Sequence, residues 1–117
     1  MPPPKSYPFS TAVAAGGILW ISGEVGTGAD GKLVEGFEPQ VRQTLDNITA
    51  TLKTQGLTMD DVFKCTVYLA DMKRWEDFNR IYVRYFKKGR LPARSAVGAN
   101  GLAGGALTEV ECLAKLP

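Results

Sequence analysis

The chain has 117 residues, 44% hydrophobic and 22% charged, with 14 basic side chains against 12 acidic ones and a net charge of +2. That length suits one domain, 1–117, burying roughly two-thirds of its unfolded surface without staples, and the near-neutral balance excludes nucleic acid or a membrane as a default partner. There is no histidine and there are two cysteines, so Ser-His-Asp chemistry, Cys-His chemistry and the usual Cys/His zinc site cannot be built within the chain.

The start, Met1-Pro-Pro-Pro-Lys5, reads as an extended arm. It has neither the apolar core of a signal peptide nor the arginine-rich look of a transit peptide. No apolar run approaches the ~18 residues of a membrane span. Cys65 and Cys112 are 47 positions apart and read as two buried thiols in a reducing compartment. A cytoplasmic protein is the expectation.

Phe9 to Ala14 is predicted as a strand, Ala15-Gly16-Gly17 as a tight turn, and Ile18 to Ser22 as a second strand. Gly26-Thr-Gly28-Ala-Asp-Gly31 spells G-x-G-x-x-G. A dinucleotide fingerprint must open a helix, but Lys32 to Gly36 is another extended fragment, so Asp30-Gly31 is read as a turn. Glu38 to Gln55 is the clearest helix, with Val41, Leu45, Ile48 and Leu52 as its apolar stripe and Gly56 at its end.

Thr58 to Asp61 looks like a brief capped turn. Val62 to Leu69 alternates as a half-buried strand, with Phe63, Cys65, Val67 and Leu69 on one face and Lys64, Thr66 and Tyr68 on the other. Asp71 is a suitable cap for a second helix to about Phe86, whose aromatic stripe of Trp75, Phe78, Tyr82 and Tyr85 reads as core. Six basic residues and no acidic ones lie between Arg80 and Arg94. An anion-binding rim would fit them, and a solvated helix end favoured by the dipole fits better.

In Leu91-Pro92-Ala93-Arg94-Ser95-Ala96-Val97, Pro92 stiffens the entry and a strand begins beside Arg94. A guanidinium held this way matches a carboxylate or phosphate, and a surface salt bridge is the plainer alternative. Residues 98–105 form a glycine-rich loop. On the last strand, Leu107 to Leu113, Glu109 and Glu111 share a face roughly 7 Å apart, while Val110 and Cys112 point the other way. The two glutamates fit a subunit seam, a pairing with the arginine, or plain solvation.

The order β-β-α-β-α-β-β predicts an α+β fold, with two helices packed on one face of a mixed sheet. The other face is only partly apolar, which suggests that another copy of the chain covers it.

Taken in order, Ile21-Ser22-Gly23, Gln43-Thr-Leu-Asp-Asn47, Val67-Tyr-Leu-Ala-Asp71, Phe78-Asn79-Arg-Ile-Tyr82, Pro92-Ala-Arg-Ser95 and Glu109-Val-Glu111 resemble the RidA/YjgF family of reactive-intermediate deaminases, also called endoribonuclease L-PSP. The likeness runs from about Tyr7 to Ala114. It implies a chorismate-mutase-like (YjgF-like) fold with a mostly antiparallel sheet, and a homotrimer with clefts between subunits. It also implies hydrolysis of 2-imino acids or their enamines to 2-keto acids and ammonia, with no cofactor or metal. By that likeness Arg94 clamps the substrate carboxylate and Glu109 holds the attacking water. Ser22, Gly23 and Asn79 would shape the pocket, the backbone at Ala96 would add polar contacts, and Phe9 would line the cleft where the family carries a tyrosine.

The chemistry is self-consistent. A protonated imine carbon is already electrophilic, so orientation matters more than a strong nucleophile. A second carboxylate beside the first raises one ionisation of the pair. The chain also departs from the family pattern at Glu24 (often glutamine), Gly26 (often proline), Ala96 (often cysteine) and Gly101-Leu-Ala103 (usually Arg-Leu-Pro). A trimeric keto-acid binder without turnover is the second reading. RNA binding or cleavage is a third, which the absence of histidine disfavours.

Overall fold

Gly16 and Gly17 take φ of 61° and 78°, the left-handed pair that a two-residue hairpin requires. They fold strand β1 (Ala12–Ala15) back onto β2 (Ile18–Ile21), pairing Ala15 with Ile18. The structure is a computed structural model that describes residues 7–117, so the proline arm expected at the start lies outside the described residues. The first strand begins later than expected, at Ala12, and leaves Phe9 outside the sheet.

Residues 26–33 form the expected turn and no phosphate loop. Asp30 Oδ1 accepts from the Lys32 N–H at 3.0 Å, and only an isolated Thr27–Leu33 bridge stands for the extended fragment predicted there. Helix α1 (Phe37–Thr54) buries Val41, Leu45, Ile48 and Leu52 completely. Fully burying one such side chain stabilises by about 1.5–3 kcal/mol. Gly56, at φ 72°, ends the helix as predicted: its N–H donates to the Lys53 carbonyl and the Leu57 N–H to that of Leu52.

Thr58 and Asp61 cap a 3₁₀ turn reciprocally and deliver the chain into β3 (Val62–Leu69). A register shift between Val62 and Lys64 breaks the expected alternation. Phe63, predicted on the core face, is the extra residue of this irregularity and is 42% exposed, while Val62 takes the inward place.

Asp71 caps a 3₁₀ turn over Met72–Arg74, and the α-helix α2 proper is short, Trp75–Tyr82, followed by another 3₁₀ turn. The aromatic stripe is therefore only half core. Phe78 and Tyr82 are buried with Phe86, whereas Trp75 is exposed and Tyr85 reaches across to α1, its hydroxyl donating to Asp46 Oδ1 at 2.7 Å. The basic run is a solvated end, as expected: Arg80 pairs with Asp77, and Lys87 with Asp60 at 3.0 Å.

Strand β4 (Ala93–Gly98) lies parallel to β3, as a helical crossover demands, and β5 (Thr108–Lys115) runs antiparallel to both β3 and β2. The sheet order β1-β2-β5-β3-β4 is the predicted mixed, mostly antiparallel sheet. On one face Leu19, Ile21, Val67, Leu69, Val110 and Ala114 form the core with the helices.

The reading of two free thiols is overturned. Cys65 and Cys112 stand opposite each other in the β3–β5 register and are joined by a disulfide within that core. Strand pairing, not distance along the chain, decides which cysteines meet, so the compartment argument built on free thiols loses its support. Among the described residues no helix is long and apolar enough to cross a membrane.

The other face carries Val13, Trp20, Leu113, Lys64 and Ala93 as one row, with Glu111, Thr66 and Ser95 and then Glu109, Tyr68 and Val97 as the next two. Val13, Trp20 and Val97 are 53%, 47% and 44% exposed, so this face has no cover among the described residues.

Gly26 packs directly on α1. A Cβ there would stand 2.7 Å from the Gln40 carbonyl oxygen and 2.8 Å from its Cα. Backbone cannot yield as a side chain does, so Gly26→Ala is expected to lower stability by about 1–3 kcal/mol in urea denaturation.

Candidate active site

Arg94 stands on the edge strand β4, in register with Cys65 and, beyond it, Cys112. That register directs it to the helix face. Its guanidinium carbon lies 4.8 Å from the Tyr82 ring centroid and 5.7 Å from that of Phe78. Two aromatic faces restrain a planar cation and leave its in-plane donors available. The ion pairs among the described residues involve Arg42, Arg74, Arg80 and Lys87 and not Arg94, so the surface-salt-bridge alternative is not realised among them.

Ala96 follows on the same face, packed against the core. On α2, Asn79 Oδ1 and the Tyr82 hydroxyl are both buried without a hydrogen-bond partner among the described residues. Leaving such a group unsatisfied costs roughly 1–3 kcal/mol, so the pair marks a place where a further polar group belongs. Burial pushes the Tyr82 hydroxyl up to about 12, with the Arg94 charge working against that rise.

Glu109 belongs to a different neighbourhood. Beyond β2 the chain runs beside β5, where the Glu24 N–H donates to the Val110 carbonyl at 2.8 Å and the Val110 N–H donates back to the Glu24 carbonyl at 2.9 Å. The intervening Gly23 has no side chain, and the Glu109 carboxylate occupies the space where a Cβ would stand. Ser22 donates its hydroxyl to the Ser10 carbonyl at 2.6 Å, tying residues 9–10 to the end of β2. Phe9 is 49% exposed and stacks on Tyr7, with centroids 5.4 Å apart. Ser22, Gly23 and Glu109 are thus brought together, and Ser10, the residue after Phe9, is bonded to the first of them.

Burial raises the Glu109 carboxyl above its ordinary range, and the negative charge of Glu111 adds to the rise. Glu24 is raised as well, first by burial and then by Glu109, while a hydrogen bond from Asn47 opposes both. Asn47 accepts from Gln43 at 2.8 Å and donates to the carbonyls of Val25 and Thr27, so α1 anchors the segment that carries Glu24. Among the described residues no group of three or more His, Cys, Asp or Glu is arranged to hold a metal ion.

Within one chain the two groups do not meet. Arg94 lies on the helix face and Glu109 on the open one, on strands separated by β3. Two concavities of the chain, one beside Phe37 and Arg74 and the other between the β1–β2 hairpin and Leu91, contain neither residue. The sequence reading missed Tyr82 as the surface under Arg94, having assigned it to the core alone. It also missed Tyr68, although its place on the same open face as Glu109 was legible from the alternation.

Five strands under two helices, with an edge arginine and an acid on opposite faces, define an α+β domain of a known class. The model of the Endoribonuclease L-PSP family matches residues 2–116. A RutC family protein of Aquifex aeolicus is 42% identical over 92% of this chain and 87% of its own length. The 2-iminobutanoate/2-iminopropanoate deaminase of Mus musculus is 39% identical over 92% and 80%. The crystal structure of YyfA, a Rid family protein of unknown function from Yersinia pestis, superposes with a TM-score of 0.90 at 40% identity, covering 93% of this chain and 88% of that one. The chain belongs to the Endoribonuclease L-PSP family, the RidA/YjgF proteins.

Proposed function

We propose that this protein hydrolyses 2-imino acids of the 2-iminopropanoate and 2-iminobutanoate type to 2-keto acids and ammonia, in clefts between the subunits of a homotrimer. The observation that carries the reading is the division of the site. A restrained guanidinium beside unpartnered polar atoms occupies one face, and a carboxyl with a raised pKa rests on a bare glycine on the other. A second copy can supply the missing half to each, and the uncovered apolar side chains of the open face favour such an assembly.

In that cleft Arg94 holds the substrate carboxylate through two parallel N–H donors, and Asn79 and Ala96 border it. Glu109, ionised, holds a water against the iminium carbon. As the water oxygen bonds to carbon, Glu109 takes one of its protons. Glu109 then returns its proton to the carbinolamine nitrogen, the C–N bond breaks to release ammonia, and the hydroxyl proton passes to that ammonia as the keto group forms. The overall balance is iminium plus water giving keto acid plus ammonium. The name of the mouse relative supports the substrate class.

Purified protein is expected to accelerate pyruvate release from freshly generated 2-iminopropanoate and to run as a trimer in light scattering. Trimers that bind keto acids without accelerating that release would replace the deaminase with a ligand-binding protein. A monomer would remove the cleft itself.

A further inference from the structure

Glu109 and Glu111 leave β5 on the same face, two positions apart, yet their carboxylates go separate ways. Glu109 turns toward Gly23. Glu111 turns toward β3, where the Tyr68 hydroxyl donates to its Oε1 at 2.5 Å. Tyr68 stands opposite Glu109 in the register, so its reach to Glu111 is diagonal across the strand pair. Only one of the two acids is left at Ser22 and Gly23.

We propose that Tyr68 and Glu111 form a positioning pair for Glu109, in which the tyrosine holds the second carboxylate aside and the place so fixed for it governs when Glu109 gains and loses its proton. This rests on the imine-hydrolysis reading above. A hydrogen bond donated to a carboxylate favours its anionic form, and a like charge nearby disfavours a second anion. Consistently, the Tyr68 hydroxyl is raised by its bond to Glu111, and Glu109 is raised by burial and by Glu111.

The surroundings leave few competing charges. Thr66 and Ser95, beside Glu111 on the face, are uncharged, and so is Val97 beside Tyr68. Lys64 stands one row away opposite Leu113, and Glu24, held by Asn47 of α1, is the remaining carboxyl next to Glu109. In the assembled cleft the partner subunit's Arg94 would face Glu109.

The test is a carbon-13 NMR titration of the Glu109 carboxyl in the full chain, beside the pH profile of kcat/KM. Glu111→Gln keeps an oxygen to accept from Tyr68 and removes the charge. The Glu109 midpoint is expected to fall by on the order of one pH unit. Because Glu109 must be ionised to take a proton from water, the acid limb of kcat/KM should move to lower pH with it. Tyr68→Phe should shift both in the same direction by less, since the Glu111 carboxylate is then released from β3 and free to turn out toward solvent.

An unmoved Glu109 midpoint in folded Glu111→Gln overturns the proposal, as does a loss of thermal stability in both variants with no shift. If Glu111→Gln does not fold, the Tyr68→Phe midpoint decides. Absent imine turnover in the wild type sinks the deaminase reading alone, and the carboxyl titration still decides the pairing.

Discussion

Arg94→Ala is expected to cut imine hydrolysis by about two to four orders of magnitude while leaving the fold and the assembly in place. The two consequences separate because the guanidinium has different work in each. For stability it supplies an edge-strand cation over Tyr82 and Phe78, worth roughly 0.5–2 kcal/mol depending on how far it is desolvated. For turnover it fixes the substrate carboxylate, and an imine that is free to rotate loses the alignment between its carbon and the water on Glu109. Arg94→Lys keeps the charge and loses the planar fork, so an intermediate rate is expected. Pyruvate release in a coupled assay, beside a thermal melt and light scattering, reads all three. Undiminished release from Arg94→Ala would take the arginine out of the mechanism.

A second large effect is expected from a single methyl group. In Gly23→Ala the new Cβ collides with the Glu109 carboxylate. Gly23 does not take a left-handed φ, so alanine is tolerated by the backbone itself. The colliding atoms are the far end of a flexible side chain, so Glu109 swings away and the fold loses little, within about 1 kcal/mol. Turnover should fall about a hundredfold, because the water-holding oxygen has been displaced by an ångström or more. Gly26→Ala is the control: there the obstacle is the Gln40 backbone, and stability rather than rate bears the cost. A Gly23→Ala protein that is less stable but equally active would show that Glu109 does not act from this position.

Much of this was readable before any coordinates. The stripe Val41, Leu45, Ile48, Leu52 and the glycine after it specify α1 and its end, because a 3.6-residue period and a left-handed C-terminal residue are local requirements. The alternation on β5 put Glu109 and Glu111 together on the face away from the helices, where they stand. What failed was non-local. Phe63 obeys the period-2 pattern of its strand, but a register irregularity against β5 turns it outward. Trp75 shares its helical spacing with Phe78 and Tyr82, yet as the first residue of a short helix it is left exposed.

The site divides along the same line. Its chemical parts, a stiffened Pro92-Ala-Arg94 entry, a same-face acid pair and a Ser22-Gly23 step, are written in short stretches whose conformations depend on neighbouring residues, and the family could be read from their order. That Arg94 and Glu109 stand on opposite faces of one sheet, that Cys65 meets Cys112, and that Tyr68 takes Glu111 rather than its register partner Glu109 depend on which strands pair and at what offset. Strand pairing joins residues dozens of positions apart through backbone hydrogen bonds that any side chain can make, so local pattern carries little record of it. Tertiary packing alone decided those juxtapositions.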